Sequence, residues 1–186
     1  MSVRVNVDDA KLKEVQERLG EFANKAPNAI ANALNRTMTN VASNVTKGVR
    51  EQYHIKAGEV KNSLKKTKAT RSTLAAEVKA RGPAIPLDRF KVSPKTEQPN
   101  RKKQLKIAVK KDGTKQIMGA FISNISGIKV FKREGKGRLP IARLFGPSIA
   151  QMAGNEQIAD NVNEKAKVTF ETRLNHEVNR ILSAGR

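Results

Sequence analysis

Apolar residues recur every three or four positions in two long stretches, a pattern that predicts two long amphipathic helices. The first helix is predicted over about 27–53, with Pro27 in the first turn, where proline is tolerated. The second is predicted over about 155–183, with Asn155 as its N-cap. The apolar positions are Ile30, Leu34, Met38, Val41, Val45 and Val49 in the first helix, and Ile158, Val162, Ala166, Phe170, Leu174, Val178 and Leu182 in the second.

The N-terminal part contains two shorter predicted elements before and after the first long helix. Residues 2–7, SVRVNV, alternate polar and apolar positions, as a short strand does. Asp8 or Asp9 is placed to cap a following helix that has Leu12, Val15, Leu19 and Phe22 on one side. Residues 56–66, KAGEVKNSLKK, are predicted as one short basic helix.

The middle of the chain changes from helical spacing to alternation, which predicts antiparallel strands. Asp112-Gly113 is a hairpin turn signal, and Gly82-Pro83 ends a strand. Residues 91–103, with two prolines and many charges, are predicted as a loop. The predicted strands are 74–80, 105–109, a return strand over 117–125, and 128–133.

Together these elements predict an α+β fold, in which an antiparallel β-sheet with basic loops packs with long N-terminal and C-terminal helices. The length suits one domain over 1–186. We expect an N-terminal helical part over 1–70, the sheet and basic loops over 71–145, and the C-terminal helix over 146–186.

Composition limits the classes of protein that fit. The 186 residues are 38% hydrophobic and include no Cys, so disulfides and thiolate metal sites are excluded. No stretch approaches the roughly 18 apolar residues of a membrane span, and MSVRVNVDD lacks the apolar run of a signal peptide. The expectation is a protein made in a cytoplasm, with no membrane partner.

The formal net charge of +20 is concentrated in the middle of the chain. Residues 56–143 hold 24 basic and 6 acidic side chains, a net +18, whereas 1–55 carry +2 and 144–186 carry zero. A basic middle between nearly neutral ends indicates a surface turned toward a polyanion. The candidate nucleic-acid-proximal residues are Arg101, Lys102, Lys103, Lys106, Lys110, Lys111, Lys132, Arg133, Lys136 and Arg138. Because aromatic residues are few and not interleaved with these cations, only non-specific electrostatic attraction is predicted.

No catalytic constellation is evident, so the sequence predicts no enzyme, no cofactor and no metal site. His54 and His176 are far apart among ordinary helix residues. No HExxH, GxSxG or EF-hand pattern occurs. Gly135-Lys136-Gly137-Arg138 has some likeness to a phosphate loop, but Pro140 removes an N–H that such a loop uses.

The segment GKGRLPIARLFGPSIAQM has too many large apolar residues for an exposed loop. It is either a core-facing corner between a strand and a helix, begun by Gly146-Pro147 with Ser148 as a cap, or a surface that packs on a neighbouring subunit. The candidate interface residues are Leu139, Ile141, Leu144, Phe145, Pro147, Ile149 and Met152. The Asn- and Thr-rich face of the first long helix is a second candidate for a subunit contact.

Residues 126–152, SGIKVFKREGKGRLPIARLFGPSIAQM, resemble the phage minor tail protein Z family. The resemblance is carried by the Val130-Phe131-x-Arg133 strand, the Gly-Lys turn, Leu139-Pro140-Ile141 and Leu144-x-Gly146-Pro147-Ser148-Ile149, and the helix-rich ends fit the same layout. It implies a non-enzymatic virion protein that completes the tail at its head-proximal end. It also implies a homo-oligomeric, hexameric ring around packaged double-stranded DNA, between a tail terminator or tail tube protein and a head-closure or connector protein.

Two other functions remain open at this point. The isoelectric point of about 10.5 is also typical of a non-sequence-specific nucleic-acid-binding protein of ribosomal type, which binds as a monomer with a steep salt dependence. A nuclease requires a small acidic cluster, and none can be named in this sequence.

Overall fold

The computed structural model describes residues 1–98 and 104–184, which form five α-helices and eleven short strands. The helices are α1 (Asp9–Leu19), α2 (Ala26–Gln52), α3 (Ala57–Asn62), α4 (Ile149–Ala153) and α5 (Glu156–Ala184), and a 3₁₀ segment over Gly20–Lys25 joins α1 to α2. The strands are β1 (Ser2–Asn6), β2 (Leu64–Thr67), β3 (Ala75–Ala80), β4 (Ala84–Pro86), β5 (Lys91–Ser93), β6 (Leu105–Ala108), β7 (Lys115–Ile117), β8 (Ala120–Asn124), β9 (Ile128–Arg133), β10 (Ile141–Arg143) and β11 (Phe145–Ser148).

The two long helices are the centre of the molecule and run antiparallel to each other. The side-chain amide of Asn32 donates to Glu177 at 3.4 Å near one end, and that of Gln52 donates to Gln157 at 3.2 Å near the other. The apolar stripe of α2 is fully buried, as its spacing predicts. Both predicted long helices are therefore confirmed, with ends that differ by a residue or two.

The stripe of α5 departs from prediction only at its C-terminal end. Four-residue steps advance about 40° further around the helix each time, because an α-helix has 3.6 residues per turn. After several such steps the next buried position is Ile181, at 9% exposure, and the predicted Leu182 is only partly buried.

Polar side chains cap the helices at the predicted residues. The Lys11 N–H donates to the carboxylate of Asp8 at 2.9 Å, which satisfies a free backbone donor at the start of α1. At the start of α5, the Gln157 N–H donates to the side-chain oxygen of Asn155 at 3.2 Å.

The strands form four small antiparallel sheets rather than one. Their orders are β1-β3-β2, β10-β9-β8, β5-β6-β7 and the two-stranded β11-β4. The first packs against α2 through β3, and α2 also packs against α5. The α+β class is confirmed, while the sheet region is divided into smaller units than the sequence suggests.

The predicted basic helix over 56–66 is only half helical. It ends at Asn62, and Leu64–Thr67 form the edge strand β2 paired with β3. The backbone of Leu64–Thr67 obtains its hydrogen bonds from β3, the next strand along the chain, a partner that local helical spacing does not reveal.

Two predictions in the sheet region are also corrected. The predicted 91–103 loop begins with a strand, because Val92 is buried opposite Ile107; its Pro99–Lys103 part lies outside the described residues. The predicted 117–125 return strand is split into β7 and β8, which belong to different sheets. Gly119 separates them with φ of +73°, a conformation that only glycine adopts readily.

Candidate functional site

The predicted nucleic-acid-proximal residues lie in two separate places. Arg101, Lys102 and Lys103 are outside the described residues, and the other seven are all solvent-exposed. Lys106, Lys110 and Lys111 lie on or just after β6, whereas Lys132, Arg133, Lys136 and Arg138 lie on β9 and the turn that follows it. Within residues 1–98 and 104–184, none of the seven forms an ion pair.

An open cavity of about 470 Å³ lies beside the second of these groups. Its lining includes the apolar side chains of Phe121, Ile125, Leu139 and Ile141, which form what we call the apolar patch. Leu139 is 71% exposed and Ile125 is 49% exposed, which is unusual for side chains of this size. Cations border the patch, since Arg133 lies 5.1 Å from the centre of the Phe121 ring and Arg138 also lines the cavity.

The seven predicted interface residues divide by burial. Leu139 and Phe145, at 71% and 53% exposure, lie on the surface, while Ile141, Leu144 and Pro147 are half-buried. Ile149 and Met152, at 1% and 0% exposure, point into the core of this chain. These two are therefore part of a core-facing corner, and we leave them out of the proposed interface.

This corner consists of strand β11 followed directly by α4, so the predicted helix start at Pro147 is two residues early. Gly146 lies within the strand, where a Cβ atom would be 2.9 Å from Cε2 of Phe90. The close approach of backbone to ring explains why glycine occupies this position. Arg143, just before β11, donates to both carboxylate oxygens of Asp88 at 3.0 and 3.2 Å.

Ser148 caps α4 as predicted, in a capping box with Gln151. The Gln151 N–H donates to the Ser148 hydroxyl at 3.2 Å, and the Ser148 N–H donates to the Gln151 side chain at 2.8 Å.

We expect Ser148→Ala to lower the free energy of unfolding by about 1 kcal/mol, because α4 loses one of these bonds. Urea denaturation checks the value, and Ser72→Ala, at an exposed position that caps no helix, is the control with little expected change.

The polar face of α2 is largely used within the chain. Thr37 and Thr46 are buried, and their hydroxyls donate to the carbonyl oxygens of Ala33 and Ala42 at 2.8 Å each. Asn35 is paired with the backbone of Ala69 through two hydrogen bonds, at 3.0 and 2.9 Å. This face is thus less available to a neighbouring subunit than its composition indicates.

A second concave surface, also of about 470 Å³, lies where α2 ends, and most of its residues were not predicted. We call it the basic concavity. Its cations come from distant parts of the sequence, and among them only Lys111 belongs to the predicted set. They are Arg50, Lys56, Lys91, Lys95 and Lys111, and His54 lies among them.

The cations of the basic concavity affect the pKa of His54, which lies among them. Burial lowers the pKa of His54, and the positive charges of Lys91 and Lys111 lower this pKa further. Both effects oppose addition of a proton, because they disfavour a further positive charge. His54 therefore binds a proton less readily than an ordinary histidine does.

The described part of the chain has no group of three or more His, Cys, Asp or Glu side chains arranged to hold a metal ion. Among the same residues, no helix combines the length and apolar character that crossing a bilayer requires.

The described structure combines two long packed helices, small sheets with exposed cations, and exposed apolar side chains. This combination is typical of a protein that contacts other macromolecules. The chain belongs to the prophage minor tail protein Z (GPZ) family, whose model matches residues 11–184. This is a family of phage structural tail proteins and not of enzymes, as the resemblance in 126–152 implies. No curated protein and no solved structure matches the chain.

Proposed function

We propose that the protein completes the phage tail at its head-proximal end and joins the tail to the head around the DNA path. The observation that carries this proposal is the charge distribution in a member of a tail-protein family, a net +18 over residues 56–143. The seven described cations predicted to be near nucleic acid are exposed and have no ion-pair partner in residues 1–98 and 104–184. Sequence-independent attraction of this kind suits a conduit through which any DNA sequence passes.

In this proposal the copies form a closed ring, which the resemblance implies to be six-fold. A ring needs two different patches that meet between successive subunits. We assign one patch to Leu139, Ile141, Leu144, Phe145 and Pro147. In the ring it contacts a different patch on the next copy. Copies with a net charge of +20 repel one another, and enclosed DNA, with one negative charge per about 1.7 Å of helix axis, offsets that repulsion.

The ring would contact a tail terminator or tail tube protein on one side and a head-closure or connector protein on the other. The proposed location is the virion neck, after assembly in the host cytoplasm.

Deletion of the gene from an inducible prophage tests the proposed function. We expect induced lysates to contain filled heads and complete-length tails that are not joined, visible by negative-stain electron microscopy, and the infectious titre should fall sharply. Expression of the unmodified chain from a plasmid is the control and should restore joined particles. Joined, infectious particles in the absence of the gene would contradict the proposal.

A further inference from the structure

The basic concavity gathers five cations on a surface whose described lining residues include no acidic side chain. None of the five forms an ion pair with any residue in the described ranges, and no carboxylate is among the described lining residues. The remaining residues of the chain, 99–103 and 185–186, contain no Asp or Glu. Arg143, by contrast, has Asp88 as a partner within the fold.

The backbone around the basic concavity is fixed by hydrogen bonds between distant segments. The His54 N–H donates to the carbonyl of Val109 at 2.9 Å, and the Lys111 N–H donates to the carbonyl of Gln52 at 2.8 Å. Lys91 lies on β5, which pairs with β6 just before this contact. The fold thus brings the end of α2, strand β5 and residues 109–111 to one place.

The cost of placing these cations together indicates an anionic ligand. Like charges disfavour one another, and a bound anion converts that repulsion into attraction. Burial lowers the pKa of His54, and the charges of Lys91 and Lys111 lower this pKa further, so two of the five cations act on the same point of this surface.

The side chains point to phosphate of double-stranded DNA rather than to other anions. Four of the five cations are lysines, which act as mobile point charges, whereas planar arginine forks hold a carboxylate or a phosphate in one fixed geometry; mobile charges suit a duplex backbone that is contacted without a fixed register. The two aromatic side chains, Tyr53 and Phe90, are each only 7% exposed, so neither offers a ring on which an unpaired base can stack. The lining lysines can contact phosphates without reading base edges, which favours contact with the duplex backbone.

We propose that the basic concavity is the surface of this protein that binds the phosphate backbone of double-stranded DNA. The proposal rests on the proposed function for the biological source of the DNA. It moves the main phosphate contact from the predicted 101–138 cations to a site built largely from residues outside that set, Arg50, Lys56, Lys91 and Lys95, together with Lys111.

The test compares two variants with the same net charge. The first, Lys91→Gln with Lys95→Gln and Lys111→Gln, removes three cations of the basic concavity. The control, Lys13→Gln with Lys165→Gln and Lys167→Gln, removes three exposed lysines of α1 and α5, which form no ion pair among the described residues. Fluorescence anisotropy measures binding to a random-sequence duplex of about 20 bp as the salt concentration is varied, beginning at low salt, where electrostatic attraction to phosphate is strongest.

We expect the concavity variant to reduce the slope of log K against log salt by about 3, because each phosphate contact contributes about 0.9 to that slope. The control should keep a slope within about 1 of the unmodified chain. An equal reduction of this slope in the two variants would overturn the proposal, because it would show that the overall charge alone attracts the duplex. Equally strong binding of a polyglutamate peptide of the same charge would overturn it as well, since the site would then be one for acidic protein.

A second measurement uses the unmodified chain and does not depend on how the variants fold. Bound phosphate should raise the pKa of His54, measured by NMR titration with and without the duplex, because it offsets the charges of Lys91 and Lys111. An unchanged pKa of His54 at saturating DNA would overturn the proposal. The two proposals can fail separately. If the binding tests are negative but gene deletion gives unjoined particles, only the assignment of DNA binding to the basic concavity is rejected. If gene deletion gives joined particles, the proposed function is rejected, and the measured DNA binding is unaffected.

Discussion

The variant Ile149→Asp is expected to lose its folded structure. Ile149 is 1% exposed and begins α4, which packs against both α2 and β3. The substitution places a carboxylate there with no described basic partner, and burial of an unpaired charge costs several kcal/mol. A domain of this size is stable by about 5–15 kcal/mol in total. Circular dichroism melting should show loss of the cooperative transition or a fall of at least about 10 °C in Tm, taking about 2–4 °C per kcal/mol.

The matched control is Leu139→Asp, the same new side chain ten residues earlier in the same predicted interface. Leu139 is 71% exposed, so the carboxylate stays in water and the free energy of unfolding should change by no more than about 0.5 kcal/mol. If the proposed subunit contact is correct, native mass spectrometry of this variant should show monomers where the unmodified chain forms rings. An Ile149→Asp chain that melts like the unmodified protein would show that Ile149 is not in the core.

The contrast between Leu139 and Ile149 shows what the sequence could reveal about this segment. Its apolar content predicts that these side chains are covered, but not by what. The answer depends on strand β11, which pairs with β4 about sixty residues earlier, at Ser148↔Ala84. Such long-range pairing has no local signal, so the sequence alone leaves both a core corner and a subunit contact open.

The long helices could be predicted because their signals are local. Stripe spacing, Pro27 and the cap at Asn155 all lie within the elements that they define. The Asp112-Gly113 hairpin is confirmed for the same reason, since β6 and β7 pair across it. The division into four sheets was not foreseen, because it depends on the left-handed turn at Gly119 and on which strands meet in space.

The basic concavity illustrates the same limit for a site. Arg50 and Lys111 are sixty-one positions apart, yet the hydrogen bond from Lys111 to Gln52 brings their segments together. Dense runs such as 101–111 attract attention in a sequence, whereas isolated cations such as Lys56 and Lys91 do not. The one signal of such a surface in the sequence is the excess positive charge over the whole middle of the chain, a net +18.

The packing of α2 against α5 gives the second prediction of a large effect. Leu174 is 0% exposed on the face of α5 that is turned inward, so Leu174→Ala should lower the free energy of unfolding by about 2–5 kcal/mol through lost burial and the cavity left behind. Val168→Ala, on the same helix but 65% exposed, should stay within about 0.5 kcal/mol of the unmodified chain.

Urea denaturation followed by circular dichroism measures both variants. Equal slopes with urea concentration are needed for the comparison, because a changed slope indicates a change in the unfolded state. A cost below about 1 kcal/mol for Leu174→Ala would mean that the α2–α5 contact contributes little to the core. The helix pair would then be unsuited to hold the end of α2, and with it the basic concavity, in a fixed place.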